Sequence, residues 1–425
     1  MKSLAENIIF YGPPGTGKTY FMQKLIEKYT DYEIADKDIR DVYTVKSYDW
    51  LLITLVIMQN NNPLSAPDIM SKISGLGLRY SGTASDVLEE HSIADSSMGV
   101  TRRQPRIFLE SDGCWFVDRL RLLEYDPSFI ANYMKNSKIE KRYDFVTFHQ
   151  SFVYEDFIEG IRPSVDPATK QLVYDPKPGV FMNICTKARC NPSKQYALFI
   201  DEINRGNISE IFGELISLIE IDKRAGQYCE LEAVLPYSKS TFTVPYNLDI
   251  MGSMNSADKS IATIDVALRR RFDFVNFPCD YRILDTVLKI RGKLANNVDG
   301  INIVLLLKVI NSRIELLLDS NHIIGHAFFM KVNNFDDIKN VMIKKIIPLL
   351  EEYFFDDLQK IQIILNDLDD TGELLPNAIY VHTELDPDNL LSFHGEFTIE
   401  PKKVYSVNVL FENTSIVKVY DGVSL

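Results

Sequence analysis

The chain has 425 residues, of which 46% are hydrophobic and 25% are charged. This composition is typical of a globular protein with about two or three domains, and it excludes a disordered or fibrous chain. Lys and Arg total 46 against 59 Asp and Glu, which gives a net charge of −13. A surface this acidic cannot coat nucleic acid, so any contact with DNA must be local.

The sequence carries none of the usual signals for export or membrane insertion. A glycine-rich loop begins at Gly12, which leaves no room before it for a signal peptide. The longest apolar runs are short or broken by charges, at residues 51–58, 301–310 and 314–318. The 5 cysteines are scattered and offer no zinc motif. We therefore expect a cytoplasmic protein with reduced thiols and no membrane association.

The first predicted elements are a strand, a phosphate-binding loop and a helix. Residues 7–11 form a short apolar run, and residues 12–19 read Gly-Pro-Pro-Gly-Thr-Gly-Lys-Thr. Apolar residues then recur at helical spacing, at positions 21, 22, 25 and 26. The loop matches the motif G-x-x-x-x-G-K-[ST] in full and has the strand-to-helix context that this motif requires.

Each part of this loop has a chemical role in binding a nucleotide. The glycines let backbone N–H groups converge on phosphate oxygens, and the helix N-terminus adds a favourable dipole. We expect Lys18 to reach the β- and γ-phosphates and Thr19 to ligate Mg²⁺. The residues expected to contact the nucleotide are Gly12, Pro13, Pro14, Gly15, Thr16, Gly17, Lys18, Thr19 and Tyr20.

Residues 46–143 look like an insertion, because they add far more chain than one crossover between strands needs. Helical signals cover residues 48–60, 65–73 and 81–95, the second with a Ser-Ala-Pro-Asp start. Residues 106–118 read as a strand, a Ser-Asp-Gly turn and a strand. Three helices followed by a hairpin is the order of a winged helix-turn-helix, so we predict a winged-helix-like α+β module.

Two later apolar runs, residues 196–202 and 248–255, predict buried strands that end in polar side chains. Buried strands with chemistry at their carboxyl ends are typical of a parallel α/β sheet. Beyond residue 278 the pattern is helical, over residues 301–318, 338–353 and 358–365. The remaining residues are β-like and polar, with strand-like runs at 404–410 and 415–420.

The predicted organisation is therefore an α/β fold with a parallel sheet and an inserted module. Residues 1–45 and 144–280 form the large α/β subdomain, which residues 46–143 interrupt. Residues 281–368 form a small helical subdomain, and residues 369–425 form a β-rich C-terminal tail.

Asp201 and Glu202 end the second predicted strand of the sheet. Asp201 is expected to hold Mg²⁺, directly or through water, and Glu202 to polarise the attacking water as a general base. The alternative is that the two carboxylates begin a helix, because acidic residues suit a first turn. Asn255, at the end of the third strand, could orient the same water, although an Asn there is often only a turn residue.

Arg269, Arg270 and Arg271 form a basic cluster at the end of a predicted helix. One interpretation is pairing with the helix dipole, worth up to about 1 kcal/mol. The other is an arginine finger that reaches the γ-phosphate bound to a neighbouring subunit and accelerates hydrolysis by orders of magnitude.

Several segments together resemble the AAA+ motors of the McrB family, from McrBC-type modification-dependent restriction systems. They are the phosphate loop, residues 198–206 (Leu-Phe-Ile-Asp-Glu-Ile-Asn-Arg-Gly), 254–260 (Met-Asn-Ser-Ala-Asp-Lys-Ser) and 267–272 (Ala-Leu-Arg-Arg-Arg-Phe), in that order. Residues 148–163 and 324–329 are also McrB-like and are more specific than the Walker-type motifs, which many NTPases share. Outside the insertion, the resemblance covers most of residues 5–365.

The resemblance implies an AAA+ P-loop NTPase with a helical lid, hydrolysing GTP rather than ATP, although no residue distinguishes the two bases directly. It also implies a hexameric ring, a separate McrC-like nuclease and translocation on DNA. Asn255 would position the attacking water, with Asp258 in the same turn. Lys259 departs from the arginine of the family signature, and lysine cannot make a planar bidentate contact. Arg270 and Arg271 are the better candidates for the finger.

McrB proteins usually carry a DNA-reading domain ahead of the motor, and one hypothesis is that the insertion replaces that domain in function. Residues 46–143 contain twelve Lys and Arg against twelve Asp and Glu, so the acidity lies elsewhere. Arg102, Arg103 and Arg106 flank the predicted hairpin. The hypothesis is that the insertion, or else the ring pore, contacts DNA; the alternative is a structural or protein-binding insert with a solvated basic face.

Pro387-Asp388 and Glu400-Pro401-Lys402 fit the loose spacing of a PD-(D/E)xK nuclease. Pro401 would interrupt the strand that presents the last two members of that motif, so we predict that the chain is not itself a nuclease. Two other functions stay open: a MoxR-like AAA+ ATPase that remodels protein partners, and a nucleotide-gated DNA-binding regulator.

Overall fold

The computed structural model describes residues 5–93, 101–165, 170–258, 266–293, 296–387 and 400–423. Contacts divide the chain into two compact units. Among the described residues, the larger unit contains 5–8, the stretch from 19 to 252, and 266–273. The smaller unit contains 9–18, 253–258 and the stretch from 274 onward.

The strands and helices are numbered in chain order. The strands are β1 Asn7–Gly12, β2 Thr30–Glu33, β3 Phe108–Ser111, β4 Cys114–Val117, β5 Lys138–Lys141, β6 Tyr143–Thr147, β7 Glu159–Val165, β8 Leu172–Pro178, β9 Tyr196–Asp201, β10 Ala233–Val234, β11 Thr241–Phe242, β12 Leu248–Asn255, β13 Asp273–Asn276, β14 Asn297–Val298, β15 Ile301–Asn302, β16 Tyr380–Leu385 and β17 Lys402–Val407. The helices are α1 Lys18–Leu25, α2 Asp36–Lys46, α3 Asp49–Asn60, α4 Ala66–Gly75, α5 Ala84–Glu90, α6 Arg119–Tyr125, α7 Phe129–Tyr133, α8 Tyr154–Phe157, α9 Val180–Cys190, α10 Ile208–Phe212, α11 Val266–Arg269, α12 Tyr281–Ile290, α13 Ile303–Leu317, α14 Phe335–Val341, α15 Ile347–Tyr353, α16 Gln359–Ile364 and α17 Asn413–Tyr420.

The predicted parallel sheet is present. β9 is parallel to β12, with Tyr196 opposite Leu248, and parallel to β6 on its other side, with Thr147 opposite Asp201. All residues of β9 except the last are buried, as a strand covered on both faces requires. The sheet has five strands in the order β13-β1-β12-β9-β6.

The carboxyl ends of these strands carry the residues that the sequence singled out. β1 ends at Gly12, β9 at Asp201 and β12 at Asn255. β6 and β9 run parallel within the larger unit, so Thr147 and Asp201 lie at the same edge of the sheet, and such strand ends are where open α/β sheets bind their ligands. The three strands predicted from apolar runs are therefore confirmed, and the later two end in the predicted polar residues, Asp201 and Asn255.

The insertion has a hydrophobic core of its own. The predicted helices are α3, α4 and α5, and the predicted hairpin pairs β3 with β4 around an Asp-Gly turn. Ser65 caps α4 as predicted, because its side chain accepts a hydrogen bond from the Asp68 N–H. Helix α3 is buried over residues 51–58, so this apolar run forms the centre of the core. The order of elements is confirmed, and the likeness to a winged helix stays a prediction.

A short antiparallel pair of strands joins the start and the end of the insertion. β2 pairs antiparallel with β5, with Thr30 opposite Lys141. Tyr32, Ile34 and Ile39 belong to the same hydrophobic core as α3. Packing of this module therefore begins before residue 46.

The smaller unit is mainly helical, and α12 to α17 contribute to one core. The β-like interpretation of residues 415–420 is wrong, because they lie in α17. Ile416, Val419 and Tyr420 are buried at the spacing of a helix face, and Glu412 with Ser415 forms a capping box. Burial of this face against the core outweighs the strand propensity of the β-branched residues.

Within the described part of the chain, no helix is both long and apolar enough to cross a membrane. All five cysteines are free thiols, as the sequence predicts. Cys185 is fully buried, and burial raises the pKa of its thiol to about 12.

Candidate functional site

The phosphate loop connects β1 to α1 and is shaped by its glycines. Gly15 and Gly17 have φ values of 74° and 90°, in the left-handed region that favours glycine. A side chain at Gly12 would collide with the backbone of Phe277, which directly follows β13. The loop therefore has the backbone conformation that brings successive N–H groups to an anion.

The Lys18 ammonium lies against its own loop. Its Nζ donates to the carbonyls of Gly12 and Pro13, each at 2.8 Å, and the residue is 9% exposed. Thr16 Oγ1 donates to the same Pro13 carbonyl at 3.0 Å. A nearly buried cation inside a glycine-rich loop fits a phosphate group.

In the larger unit, Thr19 lies next to Asp201, and these are the two residues that the sequence suggests as magnesium ligands. The Thr19 hydroxyl donates to the Asp201 carboxylate, at 3.2 Å from Oδ1 and 3.5 Å from Oδ2. Mg²⁺ prefers such hard oxygen donors and takes few from the protein. No group of three His, Cys, Asp or Glu residues suited to a metal occurs within the described ranges. The hydroxyl and carboxylate oxygens present are of the kind that fits Mg²⁺.

Glu202 follows Asp201 in the left-handed conformation, with φ 53°. It precedes a short 3₁₀ turn, Ile203–Arg205, and its side chain makes no capping hydrogen bond to that turn. The carboxylate lies 3.3 Å from Arg205 Nε, and 30% of its side chain is exposed. The side chain thus does not cap the turn, and its buried Oε2 lies in an ion pair with Arg205.

The turn after β12 belongs to the smaller unit. Asn255 Nδ2 donates to Asp258 Oδ1 at 3.0 Å, and Asn255 Oδ1 accepts from Ala257 N–H at 3.2 Å. The Ser256 N–H donates to the Gly12 carbonyl at 3.0 Å, which ties this turn to the start of the phosphate loop. Asp258 thus orients the Asn255 amide. Lys259 and Ser260 lie outside the described residues.

The three consecutive arginines differ in their surroundings. Arg269 and Arg270 are exposed, whereas the Arg271 side chain is 10% exposed and its Nε lies 3.0 Å from Glu220 Oε1. Arg271 is also held by its backbone, because Asn7 Nδ2 donates to its carbonyl at 2.9 Å. The three side chains line a cavity of about 450 Å³ together with Glu220 and Asp222.

Arg224 is a functional candidate that the sequence did not indicate. It is fully buried and donates to Asn7 Oδ1 at 2.6 Å and to the Ile219 carbonyl at 3.1 Å. Burial lowers the pKa of its guanidinium to about 10. Through Asn7 it anchors the segment that carries the three arginines.

The arginines proposed for DNA contact lie beside α5. Arg106 donates to the carbonyls of Ser92 and Ile93 at 3.1 and 2.7 Å, and Arg102 donates to the Glu89 carbonyl. Arg103 is exposed and lies 3.5 Å from Glu90. Two of the three guanidinium groups therefore bond carbonyls in the last turn of α5 and in the residues just after it, a structural role.

The remaining sequence-based candidates lie elsewhere. Tyr20 is 62% exposed, with Lys24 Nζ 4.9 Å from its ring centre. Asp388 of the nuclease-like pattern lies outside the described residues. Glu400 and Lys402 are exposed, and Lys402 begins β17.

Two family models match the chain. Residues 128–272 match an AAA domain of the dynein-related subfamily, and residues 302–362 match the α-helical lid domain of McrB. The second match lies within the predicted helical subdomain.

Two relatives come from restriction enzymes. Over 251 residues, the chain is 36% identical to the EcoKMcrB subunit of a type IV methyl-directed restriction enzyme from Escherichia coli K12, covering 56% of this chain and 53% of that protein. Over 217 residues, it is 26% identical to component YdiS of the type II restriction enzyme BsuMI from Bacillus subtilis 168, covering 48% and 59%. The chain thus spans little more than half the length of these relatives.

The chain therefore carries the AAA domain and the helical lid of an McrB-like AAA+ protein. The α/β AAA+ fold with a parallel sheet and a helical lid, which the sequence resemblance implies, is confirmed.

Proposed function

We propose that the chain is a Mg²⁺-dependent nucleoside triphosphatase that hydrolyses GTP or ATP as the motor subunit of a restriction complex. The observation that carries this proposal is the 3.2 Å contact between Thr19 and Asp201, directly after a complete phosphate loop. A chance glycine turn would have no reason to bring a hydroxyl and a strand-end carboxylate together there. The AAA and lid matches supply the same context independently.

In this proposal the loop N–H groups and Lys18 bind the phosphates, and Thr19 and Asp201 hold Mg²⁺. When bound, the ion would neutralise charge on the phosphate oxygens. Glu202 accepts the proton of the attacking water, after the carboxylate exchanges its Arg205 partner for that water. Asn255 orients the water, and its hydrogen bond to Asp258 fixes the amide.

We assign the arginine finger to Arg270, acting across an interface in a homo-oligomeric, hexameric ring. The exposure of Arg270 supports this choice over Arg271, whose guanidinium is paired with Glu220. A finger must reach a phosphate bound to a neighbouring subunit, so it has to be available at the surface.

We further propose a separate McrC-like nuclease partner and a cytoplasmic location. Both relatives are named as parts of multi-component restriction enzymes, which supports this setting. We assign the contact with DNA to the ring pore rather than to the insertion, since Arg102 and Arg106 bond carbonyls of the insertion itself. In this proposal the nuclease partner, and not this chain, cuts DNA.

Steady-state hydrolysis of GTP and of ATP, with Mg²⁺, tests the enzymatic core of the proposal. Lys18→Ala is expected to abolish nucleotide binding, and Glu202→Gln to bind nucleotide normally but stop turnover. Lys37→Ala, an exposed lysine on α2, is the matched control and should match wild type. An active Glu202→Gln enzyme would refute the general-base assignment, and wild-type protein that binds neither nucleotide would overturn the function as a whole.

A further inference from the structure

The phosphate loop is hydrogen-bonded to residues 324–329, here called the lid segment, which follows α13. The Gly325 N–H donates to the Pro14 carbonyl and the Ala327 N–H to the Gly15 carbonyl, each at 2.9 Å. Both partners belong to the smaller unit. The loop therefore has a backbone partner far away in sequence.

The two backbones approach so closely that residue 325 must be a glycine, and a Cβ on Gly15 would meet the Phe328 ring. A Cβ on Gly325 would overlap the Gly15 carbonyl group and lie 2.5 Å from Thr16 N. A Cβ on Gly15 would lie 2.5 Å from the Phe328 ring. Real Cβ contacts do not occur at such distances, so a methyl group at residue 325 must displace the loop, the lid segment, or both.

These bonds set the direction of the loop's N–H groups. In a trans peptide unit the C=O and the N–H point in opposite directions. Because the carbonyls of Pro14 and Gly15 point toward the lid segment, the N–H groups of Gly15 and Thr16 point away from it. These N–H groups are available to an anion on the other side of the loop.

The lid segment is itself fixed by buried side chains. Asn311 on α13 is 2% exposed, accepts from the Ile324 N–H at 2.7 Å and donates to the Ile324 carbonyl at 2.9 Å. His326 Nδ1 accepts from the Asp280 N–H at 3.2 Å. Burial lowers the pKa of His326, which keeps the imidazole neutral and able to accept this bond.

We propose that the lid segment positions the phosphate loop, holding the Gly15 and Thr16 N–H groups in the orientation that binds phosphate, with Gly325 and Asn311 as positioning residues. This inference rests on the proposed nucleotide-binding function. It follows that nucleotide affinity depends on lid residues that need not touch the nucleotide.

The test is Gly325→Ala in the full chain, with the dissociation constants of mant-GTP and mant-ATP measured in the presence of Mg²⁺. We expect a loss of affinity of at least about tenfold for whichever nucleotide wild type binds, equivalent to about 1.4 kcal/mol. Gly75→Ala is the matched control, because a Cβ there meets nothing within 4 Å. Leu307→Ala, in the lid core, controls for destabilisation and should lower the melting temperature while changing the affinity less than threefold.

Asn311→Ala serves as the second variant, in case Gly325→Ala does not fold, and should weaken binding at least threefold. Normal binding by a folded Gly325→Ala or Asn311→Ala protein would overturn the inference, as would an equal loss of affinity in Leu307→Ala. Wild type and Lys18→Ala are measured alongside. Failure of wild type to bind refutes the proposed function, whereas binding by wild type and by both lid variants refutes only the positioning role.

Discussion

Neighbouring residues of one chemical type can have different roles when their surroundings differ, and the three arginines illustrate this. Arg271 is nearly buried and paired with Glu220, and Asn7 holds its carbonyl. Arg270, one position earlier, is exposed. Removing one partner of a salt bridge with little solvent access leaves a buried charge unpaired and destabilises the fold, whereas an exposed guanidinium is available to a second molecule.

Arg270→Ala should therefore lower the rate of hydrolysis, whereas Arg271→Ala should lower the stability of the fold. We expect Arg270→Ala to keep its stability and nucleotide affinity while losing about a thousandfold in kcat, the usual scale for an arginine finger. Arg271→Ala should lose about 2 kcal/mol of unfolding free energy, since Glu220 keeps only its contact with Lys223. Hydrolysis assays and urea unfolding of both variants check this. A large stability loss in Arg270→Ala with full turnover would reverse the assignment.

The sequence predicted those site residues that lie in local motifs. The phosphate loop and the strand that ends at Asp201 have recognisable patterns, and the Thr19 hydroxyl lies 3.2 Å from Asp201 Oδ1. Arg224 gave no such signal, because an arginine in a polar stretch reads as a surface residue. Its burial depends on Asn7 and Ile219, which lie far apart in sequence and come together only in the folded chain.

At the level of elements, α17 shows how a C-terminal segment becomes part of the lid core. Lys418 on this helix lies 2.5 Å from Asp367, which is fully buried. Asp367 also accepts the N–H groups of Ile379 and Tyr380, at 2.8 and 2.7 Å. Burial raises the pKa of Asp367 and lowers the pKa of Lys418, because each charge is costly there without its partner.

Lys418→Met should destabilise the protein by about 3 kcal/mol, since it leaves a buried carboxylate without its counter-ion. Lys403→Met is the matched control, because Lys403 is exposed on β17. Denaturant unfolding followed by circular dichroism measures both. Equal stability of the two variants would show that the ion pair does not hold α17 in place.

Helix α17 also marks the limit of prediction from local pattern. Residues 415–420 are rich in β-branched side chains, which favours a strand, yet the same residues place Ile416, Val419 and Tyr420 on one helix face. Local propensity cannot decide between these periods. The decision comes from the apolar surface of α13 and its neighbours, against which this face is buried.

For the whole molecule, the distribution of charge matters more than its sum. The net charge of −13 excludes a DNA coat, and the neutral insertion first offered Arg102, Arg103 and Arg106 as a local contact. The structure uses Arg102 and Arg106 to bind carbonyls in the last turn of α5 and just after it. Assembly should therefore depend on nucleotide rather than on DNA, since the proposed ring places its catalytic arginine at the interface between subunits.

Nucleotide alone should thus convert the chain from small species into a ring. The phosphates of a bound nucleotide give Arg270 of the next subunit a partner, which favours the assembled state by the difference in nucleotide affinity between ring and monomer. Light scattering on Glu202→Gln, which is expected to bind without turnover, should show a hexamer of 48.7 kDa subunits with Mg²⁺ and GTP or ATP. Lys18→Ala should stay small under the same conditions, and Arg270→Ala should assemble less readily. A monomer of Glu202→Gln at saturating nucleotide would contradict the ring and, with it, a finger that acts between subunits.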